Sequence, residues 1–105
     1  MKGPYLLRPI QVDMSVPTRV GGVYCLARDS KSVAVVARAD ADLRDKIKSH
    51  WPEYQYFWYE PALSPRECFV HHCYAFHKHA DNGLEDKGHP TAPEKMDVKC
   101  PICGK

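Results

Sequence analysis

The longest patterned stretch of the chain is 64–79, S-P-R-E-C-F-V-H-H-C-Y-A-F-H-K-H. Ser64 can cap a helix, Pro65 suits its first position, and Glu67 completes an S-x-x-E capping box. Neither Gly nor Pro follows for about a dozen residues, so the pattern predicts a helix ending at His79. At about 100° per residue, Phe69, Val70, Cys73, Phe76, His77 and Ala80 gather on one side; Cys68, His71, His72, Ala75 and His79 fall on the other. Upstream, residues 21–27 alternate apolar side chains after a double glycine, and 33–38, V-A-V-V-A-R, form a β-branched run beyond a polar turn. Together they predict a hairpin. Residues 40–50 read as a second helix capped by Asp40, with Leu43 and Ile47 as its apolar stripe and Pro52 beyond its end. Residues 54–60, Y-Q-Y-F-W-Y-E, predict an aromatic strand that Pro61 ends. The first twenty residues are broken by prolines and read as an irregular arm, with one short strand near 10–12.

These elements predict an α+β fold: a small three-stranded antiparallel sheet flanked by helices. The expected organisation is an N-terminal arm over 1–20, a domain over 21–80, and a loop and tail over 81–105 packed on that domain. Residues 81–93, D-N-G-L-E-D-K-G-H-P-T-A-P preceded by one alanine, are loop by composition, and a polar loop of this kind gains little from burial.

At 105 residues and 44% apolar content, one modest core is the expectation, and a staple would help it. The net charge of +2 is too small to argue for nucleic acid by itself, though it permits a local basic patch. No stretch resembles a secretory leader or approaches the roughly twenty apolar residues of a membrane span, so the expectation is a cytoplasmic protein with no membrane partner. Disulfides are rare in that compartment. Five cysteines, at 25, 68, 73, 100 and 103, are an odd number and suit reduced thiols with a metal better than a disulfide framework.

The chain ends C-P-I-C-G-K. Two cysteines at this spacing can turn both thiolates to one ion, with Gly104 permitting the turn, which is a zinc knuckle lacking two ligands. Cys73 and His77, one helical turn apart on the apolar side, are the first choice to complete it with Cys100 and Cys103 around a structural zinc. Cys68 with His72 is the runner-up pair, and His89 is a third option, as ligand or as a donor behind one. Blander readings stand beside these. Cys73 can be an ordinary buried thiol and His77 a satisfied core histidine; His71, His72 and His79 read as solvated, and the aromatic strand as core.

In order and spacing, the segment 21–79 resembles the GIY-YIG nucleases. Gly22-Val23-Tyr24 is similar to the first motif, and Val35-Val36-Ala37 stands where the second belongs. Arg38, Ala39, Asp40, Leu43 and Ile47 continue the pattern, and an S-P-R-E helix start after an aromatic strand is also family-like. The resemblance implies a sheet flanked by helices that cuts phosphodiesters with two tyrosines, a helix arginine and a metal-holding glutamate. An arginine there offsets phosphate charge, and a glutamate holds a hard cation. Tyr24 matches the first tyrosine. Val35 replaces the second, Lys46 falls at the arginine with Arg44 nearby, and His72 falls at the glutamate. Histidine is a poor substitute for a carboxylate on Mg²⁺. As a set, the catalytic positions the resemblance implies, at Tyr24, Lys46 and His72, are therefore degenerate, with Tyr24 alone matching. A smaller set of family-like proteins carries a helix C-x-x-x-H, a His-Pro and a terminal C-P-x-C, which Cys73/His77, His89-Pro90 and Cys100/Cys103 resemble. The expected function is a zinc-binding, catalytically inactive module that binds nucleic acid or protein, with Arg38, Arg44 and Lys46 as candidate phosphate contacts. The alternative is a divergent Mg²⁺-dependent nuclease.

Overall fold

The computed structural model describes residues 1–81, 83–85, 88–93 and 96–104. Parts of the expected 81–105 loop thus lie outside the described residues. In chain order the elements are β1 (Lys2–Leu6), α1 (Pro9–Ser15), β2 (Gly21–Ala27), β3 (Val35–Ala39), α2 (Leu43–Lys48), β4 (Tyr56–Ala62) and α3 (Pro65–His79).

The α+β class holds, but the sheet has four strands, ordered β1-β4-β2-β3 and antiparallel throughout. The extra strand comes from the expected arm. Lys2 pairs with Tyr59 and Leu6 with Tyr56, with a register shift between Lys2 and Tyr5. Pro4 is tolerated there because β1 is an edge strand. The strand expected near 10–12 is instead helix: Pro9 sits at the start of α1, where a missing N–H costs nothing. Val12 supplies its buried side, and Tyr59 Oη donates to the Ser15 carbonyl at 2.6 Å, tying the helix to the sheet.

The hairpin is in the expected place, with Val23 opposite Arg38 and Cys25 opposite Val36. Pro61 does not end β4, which runs on to Ala62. The second helix starts later than expected, and its cap is Asp42, whose side chain accepts from the Asp45 backbone N–H at 3.1 Å. Asp40 instead receives the Nε–H of Arg38 at 3.0 Å.

Strand alternation sorts the core onto two faces. Tyr24, Leu26, Phe57 and Tyr59 pack under α1 and α2 with Val12, Leu43 and Ile47. Val23, Cys25 and Val36 face α3 and meet Cys68, Ala75 and Phe76. Cys68 and Ala75 are thus buried against the sheet, on the side of the helix expected to be polar. Phe69 and Cys73 are the other buried side chains of α3, and they form a separate cluster with Cys100. The cap of α3 is as expected, Ser64 Oγ accepting from the Glu67 N–H at 3.1 Å, while the Glu67 carboxylate reaches one residue further back, to the Leu63 N–H at 3.4 Å.

The segment after α3 is better anchored than its polarity suggests. Leu84 is 2% exposed in the α3-side core, and the Glu85 N–H donates to the Ala34 carbonyl at 2.8 Å. The Glu85 carboxylate pairs with Arg28 and accepts from Tyr54 Oη at 3.1 Å. Ala92 and Val98 pack against the Phe69–Cys73–Cys100 cluster, whereas Ile102 is half exposed. Among the described residues no helix is long and apolar enough to cross a membrane.

Candidate metal centre

His77 lies in the last turn of α3, and three further groups reach it from the tail. The ligand atoms of His77, His89, Cys100 and Cys103 all lie within 4.8 Å of one another, a group that could hold a metal ion. His77 Nε2 is 3.3 Å from His89 Nε2 and 3.4 Å from Cys100 Sγ, and Cys103 Sγ is 3.2 Å from His89 Nε2. His89 Nδ1 lies 2.7 Å from the Pro90 carbonyl oxygen. A carbonyl only accepts, so Nδ1 carries the proton and Nε2 turns a lone pair towards the group. A hydrogen bond behind the ligating nitrogen is the usual way an imidazole is aimed at a metal.

The knuckle is built locally. The Gly104 N–H donates to the Cys100 carbonyl at 2.9 Å, and Gly104 takes a φ of 75°, a left-handed conformation that glycine adopts without cost. Burial alone would raise the Cys100 thiol. The backbone N–H groups of Cys103 and Ile102, with His89 and Cys73, outweigh it and bring Cys100 down to about 6. Cys73 is not one of the four. It lies beneath them, fully buried beside Cys100. Burial first, then its hydrogen bond to Cys100, pushes the Cys73 thiol up to about 12. Its sulfur packs in the same buried cluster as Cys100 and Phe69. The runner-up pair does not converge with this group. The Cys68 thiol points at the Ala39 carbonyl, 3.7 Å away, and burial raises it to about 11.

The resemblance-based positions are spread through the molecule. Tyr24 is buried on the α1/α2 face, its hydroxyl 3.0 Å from His50 Nε2, and burial raises it to about 12. His72 is on the α3 face, with Nδ1 3.4 Å from Arg38 Nη1. It is half-buried rather than solvated. Desolvation, then the adjacent Arg38 charge, pushes it down to about 4 against a hydrogen bond to the Val36 backbone. Lys46 is exposed on α2. The four-stranded sheet thus stands between Tyr24 and His72. The phosphate candidates are divided in the same way. Arg38 shares the α3 face with Val23, and its side chain, 11% exposed, is engaged by Asp40, the Thr91 carbonyl and the Phe69 ring. Arg44, on the other face, donates from Nε to the Val16 carbonyl at 2.6 Å. Arg38, Arg44 and Lys46 do not form one surface.

The sequence pointed to His77, Cys100 and Cys103 through helix phase and the C-x-x-C spacing, and to His89 only through His-Pro. The Arg38–His72 link was not expected; it joins a charged strand residue to a helix position that looked polar. No family model, curated protein or solved structure matches this chain.

Proposed function

We propose that the chain is a zinc-stapled, non-catalytic interaction module on a GIY-YIG-like scaffold. One observation carries the zinc: the spacing of the four donor atoms. With zinc–nitrogen bonds of about 2.05 Å and zinc–sulfur bonds of about 2.3 Å, a tetrahedral site separates two nitrogens by about 3.3 Å and a nitrogen from a sulfur by about 3.6 Å. The corresponding separations here are 3.3 Å, and 3.4 and 3.2 Å. Two imidazoles and two thiolates suit zinc and are poor hosts for Mg²⁺. Four protein donors leave no open coordination position, which makes the role structural. In this proposal His89 is the fourth ligand and Cys73 holds Cys100 in place.

The scaffold resemblance is supported by the order hairpin, helix, aromatic strand, S-P-R-E helix in the expected sequence. The nuclease alternative has less behind it, since Tyr24 and His72 open to opposite faces of the sheet. Elemental analysis of protein purified without chelator tests the staple: one zinc per chain is expected, and no tightly held metal overturns it. A plasmid-cutting assay with Mg²⁺ or Mn²⁺ tests the rest, with turnover lost in Tyr24→Phe counting against a non-catalytic module.

A further inference from the structure

On the flank of α3 away from His77, a cavity of about 570 Å³ opens between the helix and the sheet. That is the size range of small-molecule sites. Its apolar floor includes Cys25 and Val33; Trp58, directly across the ladder from Cys25, and the 53%-exposed Tyr74 supply aromatic surface. Lys31 from the hairpin loop and Lys78 from α3 bring two ammonium groups to its lining. Burial raises the Cys25 thiol to about 12, against the opposing pull of the Met1 amino group and then of Lys78. The carboxylate in the lining, Glu60, lies 2.9 Å from His71 Nδ1 and 3.8 Å from the Met1 amino group, and the two lysines outnumber it. The lining therefore combines ring surface with an excess of cations, on side chains that do not belong to the metal group.

We propose that this cavity binds a nucleotide-type anion, a flat heteroaromatic ring joined to a phosphate. The ring lies against Trp58 and the phosphate meets Lys31 and Lys78. Base–aromatic contact and lysine–phosphate attraction are the two terms by which such ligands are held. The ligand is a free mononucleotide or the phosphorylated end of a single strand, which share this chemistry. The inference gives the interaction module a ligand class and rests on that reading; zinc content is measured separately, so a failure here leaves the staple untouched.

The test uses the full, metal-loaded chain carrying Trp51→Phe, so that Trp58 is the sole remaining indole of the two in the sequence. Its fluorescence is titrated with AMP, adenosine, inorganic phosphate and a 5′-phosphorylated tetra-adenylate. Saturable quenching by AMP or the oligonucleotide is expected, with adenosine at least about tenfold weaker. Lys31→Ala and Lys78→Ala, both at exposed positions, should each weaken binding about tenfold and flatten its salt dependence. Tighter binding of the oligonucleotide identifies a strand end as the source, and equal or tighter binding of AMP a free nucleotide. No saturable quenching by either, or quenching unchanged in the double lysine variant, overturns the proposal.

Discussion

Replacing one candidate ligand at a time separates the metal group from the thiol beneath it. Structural zinc contributes on the order of 10 kcal/mol or more in small domains. Shared among His77, His89, Cys100 and Cys103, that is roughly 3 kcal/mol per ligand, about a hundredfold in affinity. His89→Ala should therefore release zinc about a hundredfold more readily. Cys73→Ala removes only a thiol packed against Cys100, a contact of about 1 kcal/mol, so affinity should fall by about tenfold or less. Competition against a chromophoric chelator gives both numbers. Cobalt substitution adds a donor count, because thiolate-to-cobalt charge-transfer intensity scales with the number of bound sulfurs. That intensity should halve in Cys103→Ser and hold in Cys73→Ala. Loss of about a third of it in Cys73→Ala, with zinc retained by His89→Ala, would refute the assignment and make Cys73 the fourth ligand.

Chelation should lower the melting temperature and speed amide exchange around 88–104, while exchange in β2 and β3 changes less; a tail that stays protected without metal removes the staple. His72 gives a pH signature of defined sign. Its folded value of about 4 lies below the ordinary 6.5, so the unfolded chain binds the extra proton as pH falls between them. The associated stability is complete above 6.5 and is lost progressively on acidification, by at most roughly 3 kcal/mol. His72→Gln should flatten the melting temperature against pH over that window, and an unchanged slope would show that His72 is not held neutral. Tyr24→Phe should cost about 1 kcal/mol in denaturant unfolding through its lost bond to His50, and a larger loss would mean that the Tyr24–His50 contact holds more than one hydrogen bond.

The central elements were legible because their signals are local. β2 and β3 show themselves in alternation and β-branching, and α3 in its cap and its uninterrupted run. The N-terminal strand and helix were hidden by the prolines that the structure accommodates, Pro4 on an edge strand and Pro9 at a helix start. The phase of α3 suggests one stripe, but the helix is covered twice, by the sheet over Cys68, Ala75 and Phe76 and by the tail over Phe69 and Cys73. A helix buried on two sides has no single apolar face to read. The same covering explains His72, whose polarity suggested water and whose neighbours are Arg38 and the Val36 backbone. At the metal group, His77, Cys100 and Cys103 were accessible to spacing rules. His89 lies in a stretch without periodicity, so only tertiary contacts place it ahead of Cys73 in the group.

The strand order also sets a timetable. β1 is first in the chain, yet its neighbour is β4, and the ladder joins residue 2 to residue 59. The β2–β3 hairpin needs only its own residues and can form early. The opening segment must wait until the aromatic strand has been made and docked on β2, because nothing else in the sheet pairs with it. Distant pairings of this kind slow folding, since the connecting chain must be ordered before the contact gives anything back. During synthesis β1 emerges well before its partner and is thus among the last elements to find its place, and until then the outer edge of β4 stays open to any other extended chain.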